Sequence, residues 1–367
     1  MTIEEILSKS PYSLDKDTKR AMLDERLREL TRLHYERCEP YRRMMDAAGL
    51  AMKNLPGYEN LPFLPVRLFK EYELRSVKSD EVIKTMTSSG TTGQQKSKIF
   101  IDRATSFNQT KALTKIVSSF VGTRRVPMLI LDSSAVVKDR KMFSARGAGI
   151  LGFSMLGSKR VYALDENMEL DTEEIRTFLE EYGNETIFMF GFTFMIWQHF
   201  YKKLKASGFR PDLSKCVLIH GGGWKKLASE RVSPIEYKQA IHEVCGILPE
   251  NIHDYYGMVE QTGCIYMECE YNHLHAPAYS DIIIRRPVDF SIADNGENGI
   301  IEVVSTLPES YPGHILLTED EGALLGEDDC PCGRMGKYFK VNGRIKNAEI
   351  RGCSDTYSAP LTLVTED

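Results

Sequence analysis

Three groups of residues have the types and spacing that chemistry requires. The first is Thr87–Lys98, Thr-Ser-Ser-Gly-Thr-Thr-Gly-Gln-Gln-Lys-Ser-Lys. Gly90 and Gly93 lack Cβ atoms, so backbone N–H groups can close around an anion. Thr87, Ser88, Ser89, Thr91 and Thr92 add hydroxyl donors, and Lys96 and Lys98 add positive charge. The run lies between Val82, Ile83 and Met86 on one side and Ile99-Phe100-Ile101 on the other. It reads as a loop between two strands that can cradle a polyphosphate. It is not the Gly-x₄-Gly-Lys-Ser/Thr loop, because Gly90 and Gly93 stand too close and Lys96 follows no glycine. A plain surface turn is the competing reading.

The second group is soft. Cys330-Pro331-Cys332, with Cys269 and His275 upstream, offers three thiolates and an imidazole. That is a closed Cys₃His set, which suits structural Zn²⁺. A Cys-x-Cys turn without metal is the alternative, since this spacing is less specific than Cys-x₂-Cys. The third group is a single thiol, Cys353, between Arg351 and Ser354. A cysteine thiolate is accessible near neutral pH and is a good nucleophile. Only fourteen residues follow it, and a terminal segment can move. A reduced bystander thiol is the alternative.

The elements that must position these groups read as an α/β protein. The 367 residues suggest two or three domains, or one large domain with a small appendage. Apolar content of 42% allows a sizeable core. A formal charge of −5 gives no reason to expect nucleic acid. No run of about 18 apolar residues suggests a membrane span. Met1–Ser10 is amphipathic and acidic, unlike a signal peptide. The expected location is the cytoplasm, where the eight cysteines stay reduced.

Ser13–Tyr41 carries Met22, Leu23, Leu27, Leu30, Leu33 and His34 near one helical face. Ala104–Val121, Glu173–Tyr182 and Glu236–Cys245 read as helices. Val126–Leu131, Ile187–Phe190 and Cys216–His220 read as buried strands. Phe192–Phe200 is dense in aromatic residues and reads as core, with an apolar substrate wall as the alternative. Alternating strands and helices imply a largely parallel sheet. From Asp281 on, Asp281–Arg285, Gly299–Val304 and His314–Leu317 imply a more antiparallel, barrel-like portion. The expected division is 1–342 as the main domain, β-rich over about 281–342, and 343–367 as a hinge and tail.

Several blocks, in order, resemble the adenylate-forming superfamily. Ser89-Gly90-Thr91-Thr92-Gly93 is similar to its pyrophosphate loop. Asp254-Tyr255-Tyr256-Gly257-Met258-Val259-Glu260 resembles its Asn/Asp-x-Tyr-Gly-x-Thr-Glu motif, with Val259 in place of threonine. The resemblance implies ATP as substrate, Tyr256 stacked on adenine, Asp254 at its amino edge and Glu260 on Mg²⁺. Gly221, Gly222 and Gly223 fall where the superfamily lines the adenine. Thr318-Glu319-Asp320 resembles a motif whose aspartate binds ribose. Gly343-Arg344-Ile345-Lys346 resembles the hinge, which implies Arg344 near ribose and phosphate and Lys346 at the pivot.

Within the superfamily the chain is more similar to the LuxE acyl-protein synthetases. That likeness includes Leu64-Pro65-Val66, Gly191-Phe192-Thr193-Phe194, His220-Gly221-Gly222-Gly223-Trp224-Lys225-Lys226 and Arg351-Gly352-Cys353-Ser354-Asp355. It implies a large adenylation domain whose C-terminal lid, with its catalytic lysine, is absent or vestigial. Lys225, Lys226 and Lys96 are candidates to replace that lysine. Zinc-binding relatives of phenylacetate-CoA ligase have a metal arrangement similar to the one above. Here the Cys-to-His gap is a residue shorter, so His273 is an alternative to His275.

The chemistry so implied is activation of a carboxylic acid, expected to be fatty, as acyl-AMP. Displacement of AMP by the Cys353 thiolate would follow. The acyl group would then pass to or from a protein partner, a reductase or transferase. Two other readings stay open: a ligase that acylates coenzyme A or a carrier thiol, and a non-catalytic nucleotide-binding subunit. Retention of Glu260, Asp320 and Arg344 together speaks against the latter.

Overall fold

The computed structural model describes residues 1–88, 96–138, 145–224 and 229–345. One large sheet organises it. Five parallel strands form one half, in the spatial order Gly157–Leu164, Val126–Ser133, Ile187–Phe192, Cys216–Gly221, Ile252–Tyr256. Their sequences are near-continuous apolar runs, as expected for strands covered on both faces. Alternate residues serve opposite faces. Met128, Ile130, Phe188 and Phe190 enter one core, while Leu129, Leu131, Ile187 and Met189 enter the other.

The first core is covered by Ile3–Ser8, Lys16–Arg37, Arg103–Val121 and Ala145–Ser154. The long helix Lys16–Arg37 starts where Asp15 accepts from the Thr18 N–H at 2.9 Å. It buries Met22, Leu23, Leu27, Leu30 and His34. The second core lies under Thr172–Tyr182, the π-turn Ile196–Tyr201 and Pro234–Cys245. Ser233 and Glu236 form a capping box at the start of that last helix, and Gly246, with φ +78°, ends it. Phe192, Met195, Ile196, Trp197 and Phe200 are all buried, while Phe194 is only half-buried.

After Tyr256 the sheet changes direction. Tyr266–Glu268, Leu274–His275, Lys337–Arg344, Ile315–Glu327, Gly299–Ser305 and Ser280–Arg285 follow one another as antiparallel neighbours. The antiparallel strands expected from Asp281 on thus continue the parallel sheet. The join is narrow. Leu274–His275 meets Lys337–Arg344 through only two residue pairs, Leu274 with Phe339 and His275 with Tyr338.

A buried ionic group ties the long helix to this antiparallel half. Asp281 receives Lys19 Nζ at 3.3 Å, Lys337 Nζ at 2.8 Å and the Tyr58 hydroxyl at 2.5 Å. Burial alone would raise the Asp281 carboxyl, but Lys337 and Lys19 outweigh it and hold it below the usual carboxylate range. Breaking one member of such a group costs about 3–5 kcal/mol, because a charge is left buried and unpaired.

A second two-stranded sheet pairs Val82–Thr87 with Lys98–Asp102, with Thr87 opposite Lys98. This is the strand–loop–strand arrangement read from the sequence.

Candidate active site and metal centre

The ends of three parallel strands stand in register. Gly191 pairs with His220 and His220 with Asp254, while Phe192 pairs with Gly221 and Gly221 with Tyr255. Clefts beyond the carboxyl ends of such strands are where open α/β sheets bind ligands. Strand alternation turns Tyr255 and Tyr256 to opposite sides. The Tyr255 ring packs on Phe153 and Phe190, at centroid distances of 5.4 and 6.5 Å. It also explains one glycine. A Cβ on Gly221 would lie 2.4 Å from the Tyr255 ring, so that position has no space for a side chain. Gly222 needs glycine for its φ of +83°, while a Cβ on Gly223 would meet nothing.

Tyr256 reaches the antiparallel half. Its hydroxyl donates to Asp320 Oδ2 at 2.8 Å. Arg344 stands directly across from Asp320 in the strand pair. Its Nε is 3.8 Å from Asp320 Oδ1, and its Nη1 is 3.6 Å from Glu319. Burial raises the Asp320 carboxyl, against the Tyr256 hydrogen bond and the Arg344 charge. Gly343, with φ +134°, lets the chain turn beside Arg344. Lys346 lies outside the described residues.

Glu260 sits in the turn Val259–Gln261, with 6% of its surface exposed. The Tyr311 hydroxyl donates to its backbone carbonyl at 3.0 Å. Gln261 Nε2 donates to the Gly313 and Val303 carbonyls at 2.8 and 3.1 Å. The turn is therefore fixed from behind by the antiparallel strands. Thr262 Oγ1 donates to Met86 Sδ at 3.7 Å, which puts the base of the hydroxyl-rich hairpin beside this turn. At that base Ser88 Oγ accepts from the Ser97 N–H at 3.1 Å. Thr87 is half-buried, Ser88 buried and Lys96 exposed. Ser89, Gly90, Thr91, Thr92 and Gly93 lie outside the described residues. So do Lys225 and Lys226; Trp224 before them packs edge-on to Trp197 at 5.2 Å.

The soft ligands meet at the narrow join. Cys269 follows Tyr266–Glu268, His275 ends Leu274–His275, and Cys330 and Cys332 lie in the turn between Ile315–Glu327 and Lys337–Arg344. One ligand atom from each lies within 4.8 Å of every other. Cys269 Sγ is 4.0 Å from Cys330 Sγ, and Cys332 Sγ is 3.4 Å from His275 Nε2. A zinc tetrahedron with Zn–S of about 2.3 Å has S···S edges of about 3.8 Å and S···N edges of about 3.5 Å. The spacing fits. Burial pushes the Cys330 thiol up to about 12, raises Cys269 and lowers His275 to about 3. A bound cation reverses that for the thiols, and a neutral imidazole is already a ligand. His273 lies outside this foursome, although its Nδ1 is 3.3 Å from Cys330 Sγ.

Three supporting residues gave no signal in the sequence. Glu268 Oε2 accepts from the Asp254 N–H at 3.2 Å and from Lys238 Nζ at 2.7 Å, so a buried ion pair backs the Asp254 strand. Tyr338 stacks on both His273 and His275, at 4.9 and 5.6 Å. Their partners are tens of residues away, and no local pattern marks them.

The chain has the fold of the adenylate-forming ligases. Its backbone matches a crystal structure of 2-hydroxyisobutyryl-CoA ligase in complex with 2-HIB-AMP and CoA, with TM-score 0.67, 16% identity, and 94% of this chain and 79% of that one covered. The family model described as acyl-protein synthetase, LuxE, matches residues 2–362, and the chain belongs to that family. It is 22% identical over 338 residues to the long-chain-fatty-acid–luciferin-component ligase of Vibrio harveyi, covering 90% of this chain and 85% of that protein. It is 23% identical over 358 residues to the ligase of the same name from Aliivibrio fischeri, covering 95% and 91%. The chain is thus an enzyme of the ligase class. No helix among the described residues is long and apolar enough to cross a membrane.

Proposed function

We propose that the chain is an ATP-dependent acyl-protein synthetase. A carboxylate oxygen of the acid attacks the α-phosphorus of ATP and pyrophosphate leaves, giving acyl-AMP. A protein thiolate then attacks the acyl carbon and AMP leaves, giving a thioester. The relatives' names motivate a long-chain fatty acid as the substrate. Tyr256 and Asp254 take the adenine, Asp320 and Arg344 the ribose, and the hydroxyl-rich hairpin the pyrophosphate end. Glu260 is the residue suited to hold Mg²⁺, whose charge offsets the negative charge developing on the phosphate oxygens. The fixed turn around Glu260 supports that assignment. Cys269, His275, Cys330 and Cys332 hold a structural Zn²⁺.

One observation carries the choice of nucleophile. Seven of the eight cysteines are described. Cys38, Cys216, Cys245 and Cys264 are buried, and the other three belong to the metal foursome. Burial pushes Cys245 and Cys264 up to about 12, so neither offers a thiolate near neutral pH. Cys264, otherwise the nearest rival, is thereby disfavoured. That leaves Cys353, which lies outside the described residues. It follows the Gly343–Lys346 block by only a few residues in sequence, and a thiol on the same chain as the acyl-AMP reacts at high effective concentration.

The test is intact-mass measurement after incubation with ATP, Mg²⁺ and a panel of acids. One acyl group should be gained and then released by neutral hydroxylamine, as from a thioester. Cys353→Ser should abolish labelling while sparing acid-dependent pyrophosphate exchange, since the first half-reaction needs no thiol. Acylation of added coenzyme A with none of the chain would transfer the assignment to an external thiol.

A further inference from the structure

Two buried polar side chains, Thr193 and His220, take no part in the scheme above, yet they stand at the ends of the strands that build the site. Thr193 directly follows Ile187–Phe192, and His220 is in Cys216–Gly221. His220 is paired in register with Asp254 on the next strand. Its Nδ1 lies 2.9 Å from Thr193 Oγ1 and 3.7 Å from Asp254 Oδ1. We propose that His220, braced by Thr193, is a positioning residue that orients the Asp254 carboxylate toward the 6-amino group of adenine and so sets selection for adenine nucleotides. The inference rests on the reading of Asp254 as the adenine contact.

Three features support it. His220 is only 4% exposed, whereas the Asp254 side chain is 47% exposed. The brace is therefore inside and the carboxylate at the mouth. Secondly, the contacts of Asp254 hold it from one side. Oδ1 accepts from the Tyr255 N–H at 2.8 Å and faces His220, while Oδ2 has no partner among the described residues. Burial, with Glu268 adding to it, raises the Asp254 carboxyl, and a donor such as the 6-amino group of adenine favours its ionised form, in which the oxygen not held by the Tyr255 N–H is the acceptor. Thirdly, His220 Nε2 is buried without a hydrogen-bond partner, as is the hydroxyl of Tyr237, whose ring lies 4.7 Å from the imidazole. An unpaired buried nitrogen is costly, so a side chain kept for packing alone is better served by an apolar residue.

The ring is neutral, because burial, with Lys238 and His253 adding to it, lowers His220 to about 3. With its proton on Nδ1 it donates to Thr193 Oγ1 and turns the positive edge of the ring to Asp254 Oδ1.

Inosine triphosphate tests this, because it carries a 6-oxo acceptor where ATP carries the amino donor. Acid-dependent pyrophosphate exchange is measured on the full chain with each nucleotide. The ATP-over-ITP ratio of kcat/KM should fall at least about fivefold in His220→Ala and in Thr193→Val, mostly through KM for ATP. KM for the acid should stay within about twofold, and His220→Asn, which restores a donor near Nδ1, should recover part of the ratio. A structural role alone would lower both nucleotides equally and leave the ratio unchanged, which overturns the proposal. Thr193→Val carries the test if His220→Ala does not fold. Asp254→Asn separates the two levels. If it narrows the ratio and the His220 and Thr193 variants do not, this inference fails alone. If it does not, the adenine reading fails and takes the inference with it.

Discussion

The Cys/His foursome and the residues proposed to contact the nucleotide occupy opposite ends of the same strands. Tyr338, opposite His275, and Arg344, opposite Asp320, both lie in Lys337–Arg344, and six residues of strand span about 20 Å. At the first end the side chains already meet one another, within 4.8 Å and mostly buried. At the second, Tyr256 is bonded to Asp320 at 2.8 Å and Arg344 Nε lies 3.8 Å from the same carboxylate. Four soft ligand atoms in mutual contact suit a scaffold. Polar side chains in a row along strand ends suit an extended polar ligand. The narrow join of two residue pairs also lies between Ile252–Tyr256 and the strands carrying Asp320 and Arg344, so a metal held by the foursome would staple the strands that carry the proposed nucleotide contacts.

The largest test removes the staple. Elemental analysis should find about one Zn²⁺ per chain, and Cys330→Ser should lose it. Stability should fall by several kcal/mol, since binding free energy of a structural zinc is folding free energy. If zinc-depleted protein binds ATP several-fold more weakly, linkage requires ATP to raise the affinity for zinc, measured by competition with a chelator, by the same factor. Metal-free wild type with full stability and unchanged ATP affinity would break the comparison at its scaffold end.

The next test strikes the open end. Glu260→Gln should lower acid-dependent pyrophosphate exchange by on the order of 10²-fold, as loss of a charge-stabilising group does, while zinc content stays at wild-type level. Exchange that survives intact removes Glu260 from the metal role. Tyr256→Phe is milder. It deletes the hydrogen bond to Asp320, worth about 1 kcal/mol, and should raise KM for ATP about fivefold. An unchanged KM would mean that the Tyr256–Asp320 contact does not shape the nucleotide site.

The parallel half was legible because burial on both faces writes itself as runs such as Val126–Leu131, extended in the structure to Ser133. The helix expected over Ala104–Val121 is Arg103–Val121 for the same local reason: Asp102 caps it, accepting from the Thr105 N–H at 2.8 Å, and Gly122 closes it. The Cys₃His set was legible from residue types alone. What was not legible depends on register. Nothing local shows that Gly221 is a glycine because the Tyr255 ring crosses it. Nor does the sequence indicate that the antiparallel strands extend the parallel sheet, since a join two residues long has too little pattern to read. The choice between His273 and His275 also required the structure, because residues two apart share a strand face and only the distances to all three thiols put His275 in the foursome.

The smallest expected effect sharpens the contrast between a thiol that serves the fold and one that serves the reaction. Cys264 lies four residues past Glu260, close enough in sequence to be a rival nucleophile. It is 1% exposed, and its Sγ accepts from the Ser305 hydroxyl at 3.3 Å and faces the Tyr279 carbonyl at 3.7 Å. Burial pushes the thiol up to about 12, so the thiolate is a negligible fraction near neutral pH. A hydroxyl of similar size can take over both contacts, so Cys264→Ser should change stability by no more than about 1 kcal/mol. Acylation by ATP and acid should proceed to one group per chain, as in wild type. The paired experiment is Cys353→Ser, in which labelling should vanish while pyrophosphate exchange persists. If labelling instead vanishes in Cys264→Ser and persists in Cys353→Ser, a buried thiol must open to react. The division between thiols that serve the fold and a thiol that serves the reaction would then be wrong at the residue where it is most easily checked.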